Sequence, residues 1–170
     1  MASLRARRSS FCASLAYVEQ AYPQHRLTLI SRLGEGAERS FVSHAVRNFG
    51  VGVEAVLDSS VRENRGGFET EEAGAELSWL CGCANEVKVL PDGSGGDGAA
   101  DAVGEYILKR ADVLVLFGGP EPSGEIECLM SEARARDKPL IRIQTGVAQA
   151  DGAGESPEGA GPGRIILENF

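Results

Sequence analysis

Two stretches of this chain bring together the residue types that hold an anion. S-R-L-G-E-G-A-E-R over residues 31–39 places Gly34 and Gly36 after a short apolar run of Leu27, Thr28, Leu29 and Ile30. It leads into Phe41, Val42, Ala45, Val46 and Phe49, which fall on one helical stripe. A strand, a glycine turn and a helix start leave unbonded backbone N–H groups and the positive end of a helix dipole at a turn that can approach a ligand closely. A nucleotide phosphate is the commonest guest of that geometry. G-G-P-E-P-S-G over 118–124 repeats the arrangement. It follows the apolar run D-V-L-V-L-F and precedes Ile126, Leu129, Met130 and Ala133 at helical spacing. Turns of this kind also serve as plain tight connections, so the surrounding elements decide between the two readings.

Those elements alternate. Ser9 or Ser10 is placed to cap a helix carrying Phe11, Leu15, Val18 and Tyr22, which Pro23 ends. The first strand, turn and helix follow, with Asn48, Phe49 and Gly50 as the helix stop. Residues 51–57 read as a valine-rich strand interrupted by Gly52 and Glu54, and 58–67 as a polar turn. A helix is predicted over 69–83 on Ala73, Leu77, Leu80 and Ala84, with Trp79 at its rim, and a strand over 86–90. Residues 91–98 form a glycine-rich loop, followed by a helix over 99–110 on Ala99, Val103, Ile107 and Arg110. The run over 112–117 is nearly continuous in apolar residues, as expected of a strand covered on both faces. After the second turn and its helix, Leu140, Ile141, Arg142 and Ile143 make a last strand. Residues 145–163 are rich in Gly, Ala, Glu and Pro and are read as a flexible acidic stretch, after which Ile165, Ile166 and Leu167 return as an edge element.

The alternation predicts an α/β fold, a three-layer, Rossmann-like, doubly wound and mainly parallel sheet of about five strands over residues 1–144, with 145–170 as the tail. In such sheets ligands bind beyond the carboxyl ends of the strands, where both glycine turns lie.

Composition narrows the partners. A chain of 170 residues can bury a real core. Its formal net charge of −8 argues against general nucleic-acid or anionic-membrane binding, but not against a small anion held locally. No apolar run approaches the roughly 20 residues of a membrane span. Four cysteines (Cys12, Cys81, Cys83 and Cys128) without a secretory signal point to a reduced, cytoplasmic setting. Cys81 and Cys83 lack a second pair at zinc-ligand spacing, and His25 and His44 stand alone, so no metal or cofactor site is expected. The first ten residues are rich in Arg and Ser and free of acids, a pattern shared by organellar transit peptides and by basic helix starts.

Three blocks carry a family resemblance. S-R-L-G-E-G-A-E-R over 31–39 resembles the S-x-L-A-E-G-A-D-R loop and helix start of the SLOG superfamily, the Rossmann-like nucleotide-binding proteins that include the DNA-processing protein DprA and the LOG (lonely guy) phosphoribohydrolases. V-G-E-Y-I-L-K-R-A-D-V-L-V-L-F over 103–117 is similar to that family's helix and S-D-V-L-I-A strand. G-E-I-E-C-L-M-S-E-A-R-A-R-D-K-P-L-I-R over 124–142 resembles its G-G-T-bearing helix and following P-V-I strand. The resemblance covers residues 11–143, and the blocks stand in the family's order. It implies that Ser31, Gly34, Glu35, Gly36, Ala37 and Arg39 line one ligand-facing turn and Gly118, Gly119, Ser123 and Gly124 a second. Arg39 can offer a bidentate anion contact or pair with Glu35 one helical turn away.

Two departures bear on function. The family begins with a central strand and a G-x-x-G-x-R turn, whereas here the chain starts just before its first helix. The strands over 27–30 and 113–116 then lose a shared partner. Either they close up, or another chain fills the gap, or the sequence is an N-terminally shortened gene product, which is the expectation. The phosphoribohydrolases also carry P-G-G-x-G-T-x-x-E, whose glutamate assists cleavage of an N-glycosidic bond. Here the threonine position is Glu125 and the glutamate position Cys128, while Glu127 stands one residue early, about 100° round the helix.

The function expected first is therefore binding of a nucleotide or nucleotide-derived ligand, in sensing or regulation rather than strong catalysis. The alternative is an N-glycosidic hydrolase or transferase acting on nucleoside monophosphates, with Glu125 or Glu127 as acid/base. A third reading is an inactive fragment of a longer protein. Unpaired strand edges make a homo-oligomer a further expectation.

Overall fold

The computed structural model describes residues 2–58, 70–91, 102–119, 121, 123–144 and 165–168. Apart from Asp58 and Pro91, the turn expected over 58–67 and the loop expected over 91–98 lie outside the described residues, as does the stretch 145–163 of the expected tail. Five helices are described: α1 (Ala2–Ala21), α2 (Ala37–Phe49), α3 (Glu71–Cys83), α4 (Ala102–Arg110) and α5 (Gly124–Ala135). They alternate with β1 (Thr28–Ser31), β2 (Gly52–Asp58), β3 (Glu86–Leu90), β4 (Leu114–Gly118) and β5 (Leu140–Gln144), and β6 (Ile165–Glu168) closes the order.

The fold is α/β and Rossmann-like, as the alternation predicts. Its strands group into two sheets, of order β1-β2-β3 and β4-β5-β6. Every pairing is parallel except β5 with β6, which is antiparallel. The sheets belong to two compact units, residues 24–111 and residues 1–23 with 112–170. Parallel pairing demands a crossover between neighbours, and the amphipathic helices supply it.

In the first unit β2 is the middle strand. Val53, Ala55, Val56 and Leu57 are buried on both its faces, which is why its sequence is almost all apolar. Helix α2 packs on β1, β2 and α3, through Phe41, Val42 and Ala45 of the predicted stripe, and α4 packs on β2. Gly50 ends α2 with φ 60°, the left-handed conformation that favours glycine there. Thr70 caps α3 by accepting a hydrogen bond from the Ala73 amide at 3.1 Å. On α4 the buried face is Val103, Gly104 and Leu108 rather than the row through Ile107 and Arg110.

In the second unit β5 is the middle strand, and all five of its residues are buried. Phe11 of α1 meets Phe117 of β4 edge to face, with ring centroids 6.1 Å apart. Helix α1 begins at Ala2, so Ser9 and Ser10 lie inside it and do not cap it. The Ala, Leu and Arg residues ahead of them are strong helix formers and contain no breaker. Ser14 Oγ donates back to the Ser10 and Phe11 carbonyls, each at 3.0 Å. The edge element expected at Ile165, Ile166 and Leu167 forms β6.

No described helix is long and apolar enough to cross a membrane.

Candidate functional site

The turn after β1 closes upon itself. Ser31 Oγ donates to Glu38 Oε1 at 2.6 Å and accepts from the Leu33 amide at 2.9 Å. The Arg32 amide donates to the same carboxylate oxygen at 3.1 Å. A Cβ on Gly34 would lie 2.8 Å from Glu38 Oε2, so glycine leaves the room this carboxylate occupies. Gly36, the N-cap of α2, has φ 93° and ψ −127°, and Leu33 also has positive φ, 55°. A buried leucine held in that region stores about 1–2 kcal/mol of strain, of the kind that collects at functional turns.

Arg39 is only 5% exposed. Its Nε donates to the Leu33 carbonyl and its Nη1 to the Ala73 carbonyl, each at 3.1 Å. Glu35 Oε1 stands 3.7 Å from Nη1. The guanidinium thus ties the turn to α3, and its position beside Glu35 is that of the second sequence alternative. Glu35 and Gly36 are exposed, and Gly34 and Ala37 half-buried.

The turn after β4 is built differently. A Cβ on Gly118 would come within 3.0 Å of Ile126 Cδ1, so this glycine lets α5 lie close on β4. Gly119 gives its carbonyl to Arg142 Nη2 at 2.7 Å. Arg142 is 8% exposed and stands at the register position of Leu116, on the same face of the sheet as Gly118 and Gln144. A buried positive charge in the middle of β5 is therefore tied to the first residue after β4. Ser123 is the N-cap residue of α5 but makes no side-chain cap bond. Gly124 opens the helix with nothing within 4 Å of an added Cβ. Glu125 and Glu127 are both exposed in the first turn of α5.

Sequence reasoning placed both turns but missed the charges that matter most around them, Glu38 and Arg142. Arg142 had a legible signal, since it is the charge inside an otherwise apolar strand, Leu140, Ile141, Ile143. Glu38 had none, because acids are ordinary in a first helical turn.

Cys12, Cys81, Cys83 and Cys128 are not joined in disulfides. Among the described residues no group of three His, Cys, Asp or Glu side chains stands together as a metal site. No family model, curated protein or solved structure matches this chain.

Proposed function

We propose that this chain binds a nucleotide or nucleotide-derived ligand, and that it serves in sensing or regulation rather than in strong catalysis. The observation that carries this reading is Arg142: a buried guanidinium fixed to the Gly119 carbonyl just past the carboxyl end of β4, in the turn that leads to α5, whose N-cap Ser123 makes no side-chain cap bond. Fixed positive charge and open backbone amides are what a phosphate group requires. The carboxyl end of a parallel α/β sheet is where such ligands dock. Regulation is favoured over catalysis because Glu125 and Glu127 are exposed, whereas an acid/base carboxylate is tuned by a desolvated setting. The same reading places the chain in the cytoplasm.

Thermal denaturation of the full chain with AMP, ADP, NAD, ADP-ribose and cyclic AMP tests it. One ligand at about 100 times its dissociation constant adds roughly 2.7 kcal/mol, which raises Tm by about 5–10 °C for a chain of this size. Arg142→Met, once shown to be folded, loses that shift. A flat panel on folded wild-type protein refutes the reading.

A further inference from the structure

A glutamate sits where a middle strand of a parallel sheet should be apolar. Glu54 of β2 is 6% exposed, between Val53 and Ala55. Removing a carboxylate from water is costly unless it is paired and hydrogen-bonded. Its partners come from the helix above it. Tyr106 Oη donates to Glu54 Oε1 at 2.6 Å, and Arg110 Nη2 lies 3.4 Å from Oε2. Tyr106 and Arg110 are one turn apart on α4 and so project from one face. Because the tyrosine proton is given to Glu54, its oxygen accepts from Lys88 Nζ, at 3.0 Å. Lys88 reaches it from β3, at the register position of Val56 and on the same face of the sheet as Glu54.

Both cations are also packed against the ring. Lys88 Nζ lies 4.6 Å and the Arg110 guanidinium carbon 5.5 Å from the Tyr106 centroid. Replacing a buried ion pair by apolar residues is often neutral or stabilising, so stability alone is a poor account of Glu54. What the carboxylate does accomplish is to hold Tyr106, and through it two long cationic side chains, in set positions. Lys88 has three N–H donors and Arg110 five, and among the described residues only one of each is engaged. The Arg110 side chain is 53% exposed.

We propose that Lys88 and Arg110, braced by Tyr106 on Glu54, form an anion site that takes a phosphate group, either the free ion or a small phosphate ester. Glu54 neutralises one cation from below, and Glu86, exposed and two residues before Lys88 on the same face of β3, offsets the other, so the guest is held by the convergent N–H donors of Lys88 and Arg110 rather than by net charge. The proposal does not depend on the function proposed above.

The experiment is a titration of the full chain with inorganic phosphate, and separately with AMP, at constant ionic strength, read from the backbone amide resonances of β3 and α4. Saturable shifts at Lys88, Tyr106 and Arg110 are expected. Lys88→Met and Arg110→Met each weaken binding about tenfold, as befits loss of one charge-assisted contact, while Lys88→Arg retains it. A response to inorganic phosphate assigns the site to the free ion, and a response to AMP alone to an ester. Silence in both titrations overturns the proposal. So does an undiminished response in the two methionine variants.

Discussion

Arg39 shows how a residue of the right type can be spent on structure. With Nε on the Leu33 carbonyl and Nη1 on the Ala73 carbonyl, its guanidinium is the brace of the first turn. Arg39→Met keeps most of the volume but takes the Nε donor from the Leu33 carbonyl and unties the turn from α3, and we expect a loss of about 1–3 kcal/mol in urea denaturation. The glycines divide in the same way. Gly36, at φ 93°, occupies a region that side chains avoid, so Gly36→Ala should cost about 1–3 kcal/mol. Gly124 begins α5 with open space about it, so Gly124→Ala should raise stability by about 0.5–1 kcal/mol. If ligand meets this turn, the same change weakens binding while Tm rises.

The join of α4 to β2 and β3 is the element whose strength should follow pH. The Lys88 ammonium is held above its ordinary pKa of 10.5, first by its hydrogen bond to Tyr106 and then by the charges of Tyr106 and Glu86, against desolvation and the Arg110 charge. A raised pKa means that folding favours the charged form. The contribution is full below 10.5 and disappears as pH climbs through the higher folded value. Thermal melts of wild type and Lys88→Met should therefore differ by a constant amount from neutral pH to about 10 and converge above it. A difference that persists at the alkaline end would assign the effect to packing of the lysine stem instead.

Each of the two compact units has its own middle strand: β2, between two parallel neighbours, in one, and β5, between parallel β4 and antiparallel β6, in the other. Five of the seven β2 residues and all five β5 residues are buried, whereas β3 is exposed at Glu86 and Val87. Native-state hydrogen exchange should be slowest at Val53, Ala55, Ile141 and Ile143 and faster along β3, since local opening follows burial. Leu140→Ala removes a side chain with no exposed surface and should cost about 2–5 kcal/mol.

Helix and strand positions were legible because they depend on neighbours in the chain. The stripe of Phe41, Val42 and Ala45 marks α2, and the apolar run ending at Phe117 marks β4, whatever the rest of the molecule does. Both glycine turns fall where that periodicity changes, so they too could be read in advance. Polar partnerships could not. Glu54 finds Tyr106 across 52 residues and Arg39 finds Ala73 across 34. Arg142 meets Gly119 across 23. A charge inside an apolar strand announces that some partner must exist, because burial without one costs too much. Which partner it is, and whether an arginine faces a guest or braces a loop, follows from distant segments meeting in space, and no local pattern encodes that meeting.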